Sequence, residues 1–293
     1  MADYILSCDT AADMQFSRYD ELGLSVKKLH YEIDGKRYEE NPAVFEPKEF
    51  YAAVDAAKEV RTGGATVEEY LKYFEELLKS GQGIIHVALS SALSEQYSKA
   101  SGAAVILKMV HPELRIRVID SLCASGGEAL LLKKAAQLRD DGYSMDELAE
   151  WIEANKLRVN HLFYVTDLSQ LIRMNRVTEA QKAVADRLGI YPVLRVNSWG
   201  EIVPRKSVRG EERAIKKVVS YMRRLAERGT RYDGEIIITN SDCAENANRL
   251  RDAVQKSFSS VTDICIDSIG AAIGLHTGRE CVALFFWGKE RTV

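Results

Sequence analysis

The sequence predicts an α/β protein of two domains, an N-terminal parallel sheet wound with helices and a C-terminal mixed α/β unit. Three observations carry this. Short apolar runs alternate with helix-length amphipathic segments through the first half, as β–α–β units require. Beyond about residue 157 the strands crowd together and a hairpin turn appears. The 293 residues are enough for about two domains with sizeable cores. The division is expected at 1–157 and 158–293.

In chain order, Tyr4 to Cys8 is apolar and predicts a first strand. Leu24 to Asp34 alternates loosely and leads through Gly35 to a second extended piece. Pro47 to Glu59 predicts a helix with Phe50, Val54 and Ala57 on one face. Thr66-Val67-Glu68-Glu69 is a capping box, predicting a helix to Lys79. Strands are predicted from Gly83 to Leu89 and Arg115 to Ile119, and helices from Ala92 to Met109 and Gly126 to Arg139. A second capping box, Ser144-Met145-Asp146-Glu147, opens a helix to about Lys156. In the second half, strands are predicted from His161 to Thr166, Pro192 to Val196, Glu201 to Arg205, Glu235 to Thr239, Val261 to Ile266 and Glu280 to Trp287. Asn197-Ser198-Trp199-Gly200 makes a hairpin turn, and helices are predicted from Gly210 to Arg228 and Ala244 to Ser257.

Composition narrows the function. A net charge of -3 gives no reason to expect nucleic acid as a partner. No apolar run approaches the roughly 18 residues of a membrane span. The opening Met1-Ala2-Asp3-Tyr4 lacks a basic region and is expected to lead into the first strand, not to serve as a signal peptide. The five cysteines form no C-x-x-C and are expected to be buried hydrophobes in a reducing compartment, the cytoplasm. Neither glycine-rich phosphate signature nor G-x-S-x-G occurs, and the five histidines have no metal spacing. The chain is expected to be no enzyme on its own, with no cofactor and no metal.

Three predicted parallel strands end in polar residues: Cys8-Asp9-Thr10, Ser90-Ser91 with Ser94, and Asp120-Ser121. Ligands of open parallel sheets sit beyond such ends. Ser91 and Ser94 fall where a helix is expected to begin, which favours an anion. Thr62 adds a hydroxyl on a loop with Gly63-Gly64. Caps and turns account for any one of these residues, whereas the set on one edge points to a site. His276 lies in a small-residue loop, Gly270 to Gly278, whose glycines allow a close approach. A tight turn with an incidental histidine explains it equally well. Arg205 to Arg231 is basic, with Ile215, Val218, Val219 and Met222 as its apolar stripe. It reads as a solvated helix face, or as a docking surface for an acidic partner or a transient contact with anionic lipid.

Seven segments in register resemble the DegV family of bacterial fatty-acid-binding proteins, and together span nearly the whole chain. Asp9-Thr10-Ala11-Ala12-Asp13 resembles its D-[ST]-x-x-D, and Thr62 the threonine of its T-S-Q-P-S loop. Ser90 to Tyr97 resembles S-S-x-L-S-G-T-Y, with Glu95-Gln96 in place of Gly-Thr. Asp120 to Gly127 resembles D-S-x-x-x-S-x-G, and Asp167-Leu168 to Arg176 resembles D-L-x-x-L-x-x-G-G-R, with Met174-Asn175 for the double glycine. Pro192-Val193-Leu194, Gly200, Lys206 and Arg209 follow its K-P-[IV]-L…G…K-x-R stretch. Gly274-Leu275-His276-Thr277-Gly278 resembles G-x-H-x-G-P-G, with Arg279 for the proline.

The resemblance implies the DegV-like (EDD) fold and a tunnel between two domains holding a long-chain fatty acid. It implies that the fatty acid is presented to a separate fatty acid kinase, which makes an acyl phosphate for phospholipid synthesis. Carried over, Thr62 and Ser94 hydrogen-bond the carboxylate, with Arg176 and His276 near that end; Ser91 stands beside them. Glu95 would repel a ligand carboxylate unless it points to solvent. Two other readings remain at this level. The fold also resembles the dihydroxyacetone kinases, which allows an enzyme using His276 as acid or base, and the basic helix allows a regulatory interaction protein.

Overall fold

A computed structural model of the chain describes residues 3–166, 168–173 and 189–293. The first sheet comprises β1 (Tyr4–Asp9), β2 (Leu24–Lys27), β6 (Gly83–Ala88) and β7 (Ile116–Asp120), parallel throughout, in the order β2-β1-β6-β7. Every residue of β6 is buried, as expected of a central parallel strand covered on both faces. A small antiparallel sheet, β4-β3-β5, joins β3 (His30–Ile33), β4 (Lys36–Glu39) and β5 (Val60–Thr62). The last sheet is mixed and six-stranded, in the order β10-β9-β8-β13-β11-β12. Its members are β8 (Val159–Tyr164), β9 (Ile190–Val196), β10 (Ile202–Arg209), β11 (Ile236–Asn240), β12 (Ile264–Ser268) and β13 (Val282–Trp287). Only the β11–β12 pairing is parallel among the described strands of this sheet.

The helix Gly126–Asp140 connects the two large sheets. Leu130, Leu131 and Leu132 are all buried, so it has no solvated stripe along that turn. At its start the glycines allow contact that a side chain would block. A Cβ on Gly126 would fall 2.6 Å from both Ile237 Cγ2 and Phe285 Cδ2. One on Gly127 would fall 2.1 Å from His161 Nε2. One hydrophobic core therefore runs from Leu6 and Ile85 of the parallel sheet, through this helix, to Ile237 and Phe285 of the mixed sheet. A second core lies under the helix Glu211–Leu225, where Ile215, Val218, Val219 and Met222 are buried as their spacing predicts. The basic residues here are partly engaged: Arg205 of β10 and Lys217 and Arg224 of the helix lie over the Tyr221 ring at 4.2, 5.0 and 5.0 Å.

Several predicted elements move. The helix predicted from Ala92 runs instead over Gln96–Val110, because Leu93 and Ser94 bond back to the Ser90 carbonyl in a tight turn. It stops at His111, whose backbone is extended because Pro112 follows. The loop predicted around His276 is a short helix, Ala271–Thr277. The extended region after Leu24 splits between two sheets, with Asp34-Gly35 closing the β3–β4 hairpin at positive φ in both residues. The helix predicted to Glu59 ends at Ala56, and β5 begins four residues later. The helix Phe16–Glu21 has no counterpart in the sequence reading.

Candidate ligand-binding site

The carboxyl ends of β1, β6 and β7 lie side by side, as the strand order requires. Their polar residues divide into two groups. Asp9 accepts the Ala11 N–H at 2.9 Å and the Leu89 N–H at 3.5 Å. Asp120 accepts the N–H groups of Ser91 and Leu122 at 3.1 and 3.0 Å. The Ser121 hydroxyl accepts the Cys123 N–H at 3.0 Å. These residues shape the loops. Burial raises the Asp9 carboxyl to about 6, with the two N–H groups opposing the shift.

The second group faces a cavity of about 420 Å³ beyond the strand ends, within the roughly 300–1,000 Å³ range of small-molecule sites. Thr62, Ser91, Ser94 and His276 all line it, so the structure brings together four of the five residues expected there. The fifth, Arg176, lies outside the described residues. The Thr62 Oγ1 and His276 Nε2 atoms are 3.3 Å apart. Ile202, Ala272 and Ile273 from the second half of the chain face Leu29, Leu89 and Leu93 from the first across mostly apolar walls.

Local chemistry fixes each of these side chains. Thr62 ends β5, and the following N–H groups of Gly63 and Gly64 both donate to the His30 carbonyl, at 3.0 and 3.1 Å. Gly64 has φ +61°, and a Cβ there would fall 2.0 Å from Gln96 Nε2. The glycine thus admits Gln96, whose Oε1 accepts the Ala65 N–H at 2.9 Å and the Tyr70 hydroxyl at 3.2 Å. Ser94 stands on the turn after β6. That turn is tied to the other half of the chain by the Ser90 hydroxyl, which donates to the Gly200 carbonyl at 3.0 Å. Ser91 reaches the cavity from the same turn and caps no helix; the residue at the N-cap is Glu95.

His276 sits at the end of the helix Ala271–Thr277, whose start is gripped by carboxylates of the first half. Asp13 accepts the Gly270 N–H at 2.9 Å, and Glu40 accepts the Ala272 N–H at 3.0 Å. The Thr10 hydroxyl donates to the other Glu40 oxygen at 2.5 Å. A Cβ on Gly270 would strike Glu40 Oε1 at 2.5 Å and Asp13 Oδ1 at 2.9 Å, so only glycine leaves room for both. Burial raises the Glu40 carboxyl to about 7 and that of Asp13 well above its ordinary value, where Glu40's charge adds to the effect.

Two residues at the cavity, His30 and Lys99, escape sequence reading, and Gln96 entered it only as a departure from the family pattern. His30 lies on β3 with its Nε2 3.2 Å from the Glu69 carboxylate. Gln96 and Lys99 come from the first turn of the helix that begins at Gln96. Lys99 is four residues from Glu95 on a predicted helix, so that pair was readable; His30 gave no signal beyond loose alternation.

A model of the DegV family, described as uncharacterised proteins, matches residues 6–289. The chain belongs to the DegV family. A DegV domain-containing protein of Clostridium perfringens is 32% identical over 99% of both chains. Solved DegV structures share the fold. A lipid-binding protein of Thermotoga maritima aligns with a TM-score of 0.84 at 24% identity, covering 100% of both chains. A Eubacterium eligens protein loaded with heptadecanoic acid aligns at 0.86 and 19% identity, covering 98% of this chain and 100% of that one. The Streptococcus pneumoniae fatty acid kinase B3 protein, loaded with linoleic acid, aligns at 0.84 and 19%, covering 99% and 100%. Within this DegV chain, no helix among the described residues is long and apolar enough to cross a membrane. Nor do those residues include a group of three or more His, Cys, Asp or Glu placed to hold a metal ion.

Proposed function

We propose that this DegV protein binds a long-chain fatty acid and presents its carboxylate to a separate fatty acid kinase, without turnover of its own. The observation that carries this reading is the cavity in which Thr62, Ser94 and His276 face apolar walls from both halves of the chain. An acyl tail gains about 0.8 kcal/mol per methylene removed from water, so a long tail supplies most of the binding. Its carboxylate is costly to desolvate unless donors meet it. The hydroxyls of Thr62 and Ser94 are such donors, and Ser91 stands on the same turn. Arg176 is assigned to the same end of the ligand by family resemblance. The two domains divide near residue 157, the tail lies between them, and the protein works in the cytoplasm with at most transient contact with a membrane surface. The kinase transfers the terminal phosphoryl group of ATP to a carboxylate oxygen, giving an acyl phosphate.

The test is solvent extraction and mass spectrometry of protein purified from a bacterial host. An acyl chain at stoichiometric level is expected. An extract without acyl species, together with no binding of added fatty acid, refutes the reading.

A further inference from the structure

Among the described residues lining the cavity, Lys99 is the one lysine or arginine and Glu95 the one carboxylate. It stands on the helix Gln96–Val110, and its ammonium lies 3.2 Å from the Glu95 carboxylate. The pair has the i, i+4 spacing that places two side chains on one helix face. Their surroundings differ. The Glu95 side chain is 80% exposed and that of Lys99 27%. Both residues line the cavity, with Glu95 at its solvent-exposed side and Lys99 more deeply set. An ion pair with one partner so exposed is weak and readily exchanged.

The hydroxyls of Thr62 and Ser94 can hydrogen-bond an alcohol head group as well as a carboxylate, though more weakly. A positive charge adds to that preference. We propose that Lys99 pairs with the anionic head group of the ligand, exchanging Glu95 for it. Lys99 thereby makes the cavity select an ionised acyl chain over a neutral lipid of equal length. The inference rests on the fatty-acid reading above and adds a specificity residue to it. The exchange favours the ligand because its carboxylate meets the ammonium in a less hydrated setting than Glu95 does, where charge-assisted hydrogen bonds are stronger.

Affinities of the wild type, Lys99→Met, Lys99→Arg and Glu95→Gln for palmitate and for hexadecanol test this. Lys99→Met keeps the apolar stem and removes the charge. It is expected to weaken palmitate by about tenfold or more and to leave hexadecanol unchanged, which also shows that the variant folds. Lys99→Arg is expected to restore most of the palmitate affinity. Glu95→Gln is expected to strengthen palmitate binding, and to do nothing when Lys99 is already Met. Equal losses for both probes would make Lys99 only a wall residue and overturn the proposal, as would unchanged palmitate binding in Lys99→Met. If the wild type binds neither probe, the fatty-acid reading fails with it. If the wild type binds palmitate and the variants match it, only the role of Lys99 fails.

Discussion

Replacing Glu40 by glutamine is expected to change how stability depends on pH. The buried Glu40 carboxyl titrates at about 7 in the folded chain against an ordinary 4.5. Burial is the main cause; the nearby Asp9 charge adds to it, while the bonds from Thr10 and Ala272 oppose it. A raised carboxyl pKa means that the folded state holds a proton the unfolded chain has already released. Glu40 therefore favours the folded state fully below pH 4.5, and that contribution is lost as pH rises through 7. At 1.36 kcal/mol per unit, the gap corresponds to about 3 kcal/mol. Glutamine cannot ionise, but its carbonyl can still accept the Ala272 N–H. Urea denaturation of unliganded wild type and Glu40→Gln at pH 4.5, 6 and 8 measures the effect. The stability difference is expected to swing by about 3 kcal/mol in favour of the variant from pH 4.5 to 8. Asp9 and Asp13, raised in the same direction, titrate in both proteins, and the loss of their repulsion with Glu40 acts in the variant's favour as well. A difference independent of pH would show that Glu40 titrates alike in the folded and unfolded chain, and the account of its burial beside the His276 helix would fail.

Thr62→Ala and Ser94→Ala are each expected to weaken fatty-acid binding by about 1.5–3 kcal/mol, the worth of a hydrogen bond to a charged group; calorimetry giving wild-type affinity in both would move the carboxylate elsewhere. His276→Ala is expected to retain fatty acid while slowing kinase-dependent acyl phosphate formation, since the tail supplies retention and the aimed carboxylate oxygen supplies rate. Unchanged values for both would leave His276 as the end of a short helix and nothing more. Gly126→Ala is expected to cost about 1–3 kcal/mol of stability, because its methyl would press on Ile237 and Phe285, which lie in the core. An unchanged melting temperature would show that the helix and mixed sheet can move apart freely.

The fold was legible where local chemistry and the global arrangement agree. Both capping boxes form as the sequence spells them, with Thr66 and Ser144 each bonded reciprocally to the third helical residue. The helix Ala244–Ser257 keeps its predicted bounds. Legibility failed where partners distant in sequence decide. β5 is three residues long and exists because Tyr31, Glu32 and Ile33 offer it an edge. The helix Ala271–Thr277 opens with glycine and small residues that read as a loop, and its start is held by Asp13 and Glu40, more than 200 residues away in sequence.

The same division runs through the site. Thr62, Ser91, Ser94 and His276 each fall in a segment with a recognisable pattern; Ser91 and Ser94 follow β6 of the parallel sheet, Thr62 ends β5 of the small sheet, and all four line one cavity. Glu95 illustrates what a pattern cannot carry. As a residue type it opposes an anionic ligand; as a side chain it lies at the exposed side of the cavity, paired with Lys99, which lines the cavity too. The sign of its effect depends on the direction of one side chain at the start of a helix. That direction follows from where the helix begins, and the sequence placed that start four residues too early, at Ala92 instead of Gln96. With the start at Gln96, Glu95 is the N-cap and Lys99 falls in the first turn, and both line the cavity. An error of one helical turn thus changes which charges are read together at the site, while Thr62, Ser91 and Ser94 line the cavity whichever start is taken.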